Sequence, residues 1–135
     1  MALERDFERF DSGPNLPQSE RLHVTLRPKG DIFLNETVYR SLGRPQAVAL
    51  YYSRERWTIA IEPAYARQPR NFPVIKAQTG WRIRSSPFCR HYGIRLAGTE
   101  RFAEPEITES GHLLLDLQRT IKVPTKRRKK KAGDR

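Results

Sequence analysis

The chain has 135 residues, a single cysteine and a formal net charge of +11, with 37% hydrophobic and 30% charged residues. One thiol excludes an internal disulfide, and without an apolar leader or a run of about 18 apolar residues the chain reads as neither secreted nor membrane-spanning, so a reducing cytoplasm is expected. The charge is unevenly spread: residues 1–21 carry −2, 22–71 carry +4, 72–121 carry +2 and 122–135 carry +7, which puts most of the excess in the tail.

Residues 1–21 open with MALERDFERF, where Leu3, Phe7 and Phe10 fall at helical spacing, and then break into DSGPNLPQSE. This reads as a short amphipathic arm and a Pro/Gly linker. From His23 to Leu26 apolar and polar residues alternate as in a half-buried strand. Arg27, Pro28, Lys29 and Gly30 then bring two cations to a backbone reversal, where a phosphate can be met. A second strand is predicted over 32–34. Asn35 can accept from the free N–H groups of a short helix over 36–42, which Gly43 stops. On that helix Val38 and Leu42 face the core, while Glu36 and Arg40 are spaced to pair on its flank. Residues 47–52 and 57–61 read as a hairpin across SRER, with Val48, Leu50 and Tyr52 on one face and Trp57, Ile59 and Ile61 in the matching core strand.

After a linker at 64–71 the same punctuation returns. VTLRPKGDIFLNETVYRSLG at 24–43 and VIKAQTGWRIRSSPFCRHYG at 74–93 share a valine, a glycine, an arginine and a glycine at a constant offset of 50. Strands are predicted over 72–77 and 81–84, with Ser85 or Ser86 as the helix cap, Pro87 at the first helical position, a helix over 87–92 and Gly93 as its stop. A second hairpin is expected from 101–107 and 113–117 across ESGH. Leu113, Leu115 and Leu117 point one way and Leu114 the other, so the last strand reads as buried on both sides. Lys76, Arg82 and Arg84 alternate and are expected on one side of the strands, opposite Trp81 and Ile83, with Arg90 and His91 on the next helix. This is the richest basic-aromatic cluster inside the fold.

No Gly-rich phosphate loop or metal-ligand cluster appears. His23, His91 and His112 are not at ligand spacing, and Cys89 and His91 do not share a helix face. No enzyme, cofactor or metal is therefore expected.

The unit is β-β-short helix-β-β, used twice. Each copy is near the size at which a chain cannot bury enough apolar surface alone, so the halves are expected to pair. The stretch VTLRPKGDIFLNETVYRSLG…AVALYYSRERWTIAIEP resembles the swapped-hairpin DNA-binding domain of the AbrB, MazE and MraZ families. The likeness lies in its order of strand, Lys-Gly turn, strand, short helix closed by Leu-Gly, and hairpin. It covers 22–63 directly and the second unit, 72–121, through the repeat. The resemblance implies a mainly β fold with short helices, in which two β-β-α-β-β swapped-hairpin-like repeats form an intrachain pseudo-dimeric β-barrel. It also implies DNA contact near the two glycine turns, at Arg27, Lys29, Lys76, Arg82 and Arg84, with Arg90 close by. Asp31 and Trp81 follow the turn glycines where the family carries a basic residue, and Asn35 stands where it often has proline. The halves are therefore expected to be unequal, the second bearing more of the contact.

The tail at 122–135 holds Lys126, Arg127, Arg128, Lys129, Lys130 and Lys131 in one run. Its charges repel and it has no apolar residue to bury, so a mobile arm with non-specific, salt-dependent phosphate affinity is expected. The function expected is that of a non-enzymatic DNA-binding protein, a transcription regulator located on the nucleoid, or in the nucleus if the cell has one. Two alternatives stay open: RNA binding through the tail, and an antitoxin-like or assembly protein whose N-terminal arm docks a protein partner. Association into a homo-oligomer fits either, and no membrane partner is expected.

Overall fold

A computed structural model describes residues 21–65 and 67–124. The N-terminal arm and the cationic run at 126–131 lie outside the described residues. In chain order the elements are β1 (Val24–Leu26), β2 (Ile32–Leu34), α1 (Glu36–Ser41), β3 (Ala47–Ser53), β4 (Thr58–Ala64), β5 (Phe72–Lys76), β6 (Trp81–Ile83), α2 (Ser86–Tyr92), β7 (Glu100–Phe102), β8 (Glu106–Ile107), β9 (Leu113–Asp116) and β10 (Thr120–Lys122). The fold is mainly β with two short helices. Its strands join in one antiparallel order, β10-β7-β1-β2-β6-β5-β3-β4-β9-β8, curled into a half-barrel.

Alternation sets which side is buried. Val24 and Leu26, Ile32 and Leu34 point inward and are almost fully covered, whereas Thr25 and Phe33 between them face outward. Ile83, Val48, Ile59, Ile61, Phe102, Leu113 and Leu115 complete the inner face of the sheet, and Val38, Leu42, Phe88 and Cys89 from the helices and their ends pack into the same cluster. Two aromatic pairs add to it, Tyr52 with Phe88 and with Tyr92.

Near the middle of the sheet, with four strands on one side and six on the other, is the seam between β2 and β6, where Ile32 faces Ile83, Phe33 faces Arg82 and Leu34 faces Trp81. Moving outward from it in either direction one meets the other strand of a hairpin (β1 or β5), then the strand that follows the other half's helix (β7 or β3), then its return strand (β10 or β4). The expected hairpin from 101–107 and 113–117 forms only in its inner part, where Glu106 and Ile107 pair with Leu114 and Leu113 across the ESGH turn. β7 pairs with β1 and β10, and β9 pairs with β8 and β4. The physical reason is the apolar edge of β4: Leu113 opposes Ile61 and Leu115 opposes Ile59, so β9 buries its inward side by extending the sheet there. Leu114, expected to be buried, is half-exposed.

The constant offset hides a slip of one residue. Val24 pairs with Leu34, but Val74 pairs with Ile83. The first turn, 27–31, carries one residue more than the second, 77–80, so the position matching Phe33 is Arg82 and the position matching Arg27 is Ala77. Lys76 consequently opposes Trp81 and not Arg82, which is opposed by Ile75. The expected alignment of Lys76 with Arg82 and Arg84 on one side is thus corrected.

Each turn glycine closes on the other half's helix entry. Gly30 has φ +100, and a Cβ added there would lie 2.8 Å from the Cα of Ser86 at the start of α2. A Cβ on Gly80 would run into the carbonyl oxygen of Leu34, beside Asn35 at the start of α1. A side chain fits at neither place, which gives the recurring glycines a cause. Asn35 caps α1 as expected, its Oδ1 accepting from the Val38 N–H at 3.1 Å and from the His23 N–H at 3.3 Å, while its Nδ2 donates to the Arg21 carbonyl at 2.8 Å. Ser85 does not cap α2. Its buried hydroxyl donates to the Gly30 carbonyl at 2.5 Å, tying α2 to the first half's turn.

Trp81 is held between the halves, stacked on Tyr39 at 3.7 Å and donating its indole N–H to Glu36 at 3.1 Å. Glu36 therefore does not pair with Arg40 as its spacing implies; its other oxygen lies 3.8 Å from Arg44. Trp57, read as a core strand residue, sits instead in the β3–β4 turn with φ +53 and is 53% exposed. For a side chain this bulky the left-handed region costs about 1–2 kcal/mol.

Candidate nucleic-acid interface

Residues directly opposed in an antiparallel ladder share a face. The pairings therefore lay one outward row across the central sheet: Arg101 on β7, Thr25 on β1, Phe33 on β2, Arg82 on β6 and Ile75 on β5. Phe33 is the aromatic centre of that row. The Arg27 guanidinium carbon lies 4.0 Å from its ring centroid and that of Arg82 5.7 Å, so two cations flank one ring. Each such contact is worth about 0.5–1 kcal/mol at an exposed site.

Two further observations bear on the polar groups of this face. The Nε of Arg82 is buried and has no hydrogen-bond partner among the described residues. Leaving a charged group's donor unsatisfied costs upwards of about 1 kcal/mol that the fold itself does not recover. Beside the row, burial and then the Arg101 and Arg21 guanidiniums hold the His23 imidazole below the ordinary histidine pKa. A phosphate placed there would offset that repulsion and raise it. His23, Thr25, Arg27, Phe33, Arg40 and the carboxylate of Glu36 are among the groups that line a groove of about 540 Å³ along this side.

The structure brings only part of the expected set together. Arg27 and Arg82 meet on Phe33. Lys29 is exposed in the first turn, and Arg84 is exposed just past β6. Lys76 lies 4.7 Å over the Trp81 ring, and Arg90, exposed on α2, donates to the Ser86 hydroxyl at 3.0 Å. Because Ala77 and Thr79 stand where the first turn has Arg27 and Lys29, the turn cations belong to the first half, while Arg82 and Arg101 of the row belong to the second. Phe33 and Arg101 are absent from the sequence-based set. The strict inward-outward-inward pattern of Ile32, Phe33 and Leu34 carries a signal for the former. Arg101 joins the row only through the β1–β7 pairing, which no local pattern announces.

A second polar chain runs from β3 across β4 to the turn before β9. The Tyr51 hydroxyl donates to Glu62 at 2.8 Å, the His112 Nε2 lies 3.4 Å from Glu62, and the His112 Nδ1 lies 3.3 Å from the Ser110 hydroxyl. The Tyr51 hydrogen bond, then that of His112, lowers the Glu62 pKa, and the same contact raises that of Tyr51. The neighbouring N–H groups of Gly111 and His112 are spent on Thr108, at 2.9 and 3.1 Å, so neither is free to stabilise an oxyanion at Ser110. The network ties β9 to β4. Cys89 is a packing thiol: burial, reinforced by Asp31, pushes it up to about 11, and its Sγ donates to the Gly30 carbonyl at 3.6 Å.

Among the described residues no cluster of His, Cys, Asp and Glu could hold a metal ion, and no helix is long and apolar enough to cross a membrane. Comparison with family models, curated proteins and solved structures finds no match for this chain.

Proposed function

We propose that this chain is a non-enzymatic DNA-binding protein, a regulator of the swapped-hairpin type, in which two β-β-α-β-β repeats on one polypeptide interleave as a pseudo-dimer. The strand order supports the interleaving, since β3 of the first half borders β5 and β7 of the second borders β1. The observation that carries the functional reading is the outward row on the central strands: Phe33 flanked by Arg27 and Arg82, with Arg101 in line. Duplex DNA accepts a β-ribbon in its major groove, where the guanidiniums reach phosphates and base edges. Lys29 extends the cationic rim at the first turn. The tail adds affinity that reads no sequence.

The test is duplex binding against salt for the full chain and for a version ending at Pro124, which keeps β10 and the bond from the Val123 N–H to the Thr99 carbonyl. The shortened chain is expected still to bind, with a shallower dependence of log K on log salt. Six cations are lost in the 126–131 run, a change in slope of up to about 5. Equal affinity and slope in both would remove the tail from the mechanism, and complete loss of binding would remove the sheet face.

A further inference from the structure

We propose that Trp57, at the tip of the β3–β4 hairpin, is a separate contact point that stacks on an unpaired nucleobase. The choice of partner rests on the nucleic-acid reading above; the case for a contact point does not. Residues 54–57 join Ser53 to Thr58, which are directly paired, and the last of the four takes φ +53. Glycine or asparagine suits such a position. A tryptophan there is strained.

Folding gives no reason for it. The loop's shape is fixed by other groups: the Arg56 N–H donates to the Ser53 hydroxyl at 3.2 Å, the Thr58 hydroxyl to the Arg56 carbonyl at 2.9 Å, and the Leu117 N–H to the Trp57 carbonyl at 2.8 Å. The indole is 53% exposed, lies outside the core cluster, and has no hydrogen bond or ring contact among the described residues. Trp81 shows the contrast, stacked on Tyr39 and bonded to Glu36. A side chain that strains its backbone and covers little surface is placed for something outside the fold.

The surroundings point to the partner. Arg54 and Arg56 share the loop with Trp57 and outnumber its one carboxylate, Glu55, and Arg54 lies 5.2 Å over the ring of Tyr92, at the end of the helix that carries Arg90 and His91. A flat exposed ring on a loop with a net positive charge suits a base and its phosphates. Bases inside a duplex are already stacked on both faces. An unpaired base has a face to offer.

The experiment compares the full chain with Trp57→Gly and Trp57→Phe, reading thermal midpoint and affinity for a single-stranded oligothymidylate and for a blunt duplex of equal length. Trp57→Gly is expected to melt at or above the parent, by up to about 4 °C. It should bind the single strand about tenfold more weakly, while duplex affinity stays within about twofold. Trp57→Phe is expected to keep most of the single-strand affinity. Unchanged single-strand binding in Trp57→Gly, or a midpoint lowered by more than about 4 °C, overturns the proposal, the second outcome showing that the indole is kept for packing. Should the parent ignore blunt duplex yet need Trp57 for the single strand, the duplex reading falls and this one stands. A parent that binds neither sinks both.

Discussion

Gly30→Ala and Gly80→Ala are each expected to destabilise the protein by about 3 kcal/mol, whereas Gly98→Ala should change stability by less than about 0.5 kcal/mol. At Gly30 two costs combine. The backbone sits at φ +100, where an alanine is strained, and its Cβ would lie 2.8 Å from the Cα of Ser86. That atom belongs to the helix backbone and cannot swing aside, so either the first turn or α2 must shift. The Ser85 hydroxyl bonded to the Gly30 carbonyl makes the shift costlier, because opening the contact strands a buried donor. Gly80 has no unusual φ, yet its added Cβ would collide with the Leu34 carbonyl, a strand atom of the central seam. Gly98 has open space around it. Urea denaturation reads the result as a lowered midpoint at unchanged slope. A neutral Gly80→Ala would mean that the second turn does not close on α1, and the explanation of the recurring glycines would fail.

Arg82→Ala is expected to weaken duplex binding about tenfold at physiological salt and to leave stability unchanged or raised by up to about 1 kcal/mol. Binding and stability separate because the side chain carries a buried Nε with no partner among the described residues. Removing the residue removes that cost along with a cation of the proposed interface. Arg27→Ala should also weaken binding about tenfold. The double variant should lose less than the product of the two, since both guanidiniums lie on the same Phe33 ring and share a neighbour. Fluorescence anisotropy with a labelled duplex gives the affinities and a melting curve the stability. If Arg82→Ala were to unfold the protein while binding held, the residue would be a structural brace and not part of an interface.

Local pattern carries much of this fold and little of its pairing. The two β-hairpins at 24–34 and 72–83, both helices and the Asn35 cap follow from alternation, glycine placement and capping chemistry, all of which act within a few residues. The region from Glu100 to Lys122 follows local pattern only at the β8–β9 turn. Its short strands alternate well enough, but which neighbour each one meets is decided by the uncovered edges of β1 and β4, far away in sequence. The slip between Phe33 and Arg82 is hidden for another reason. Residue counting assumes equal turns, and the second turn is shorter by Asp31's counterpart while Arg84 restores the count before the helix. At the candidate site, Arg27 and Arg82 are legible as cations beside turns and on an alternating strand. Their meeting on one ring depends on the β2–β6 seam, which only the folded chain supplies. Trp57 is misread because an apolar residue flanking a strand looks like part of it, and a positive φ leaves no mark in hydropathy.

The measurement that tests the interface most directly is amide chemical-shift mapping of the full chain titrated with a blunt DNA duplex. Shifts concentrated at Thr25, Phe33, Arg82 and Arg101, with the first turn at Arg27 and Lys29, are the predicted result. Shifts confined to the chain beyond Pro124, with the central strands unmoved, would contradict it.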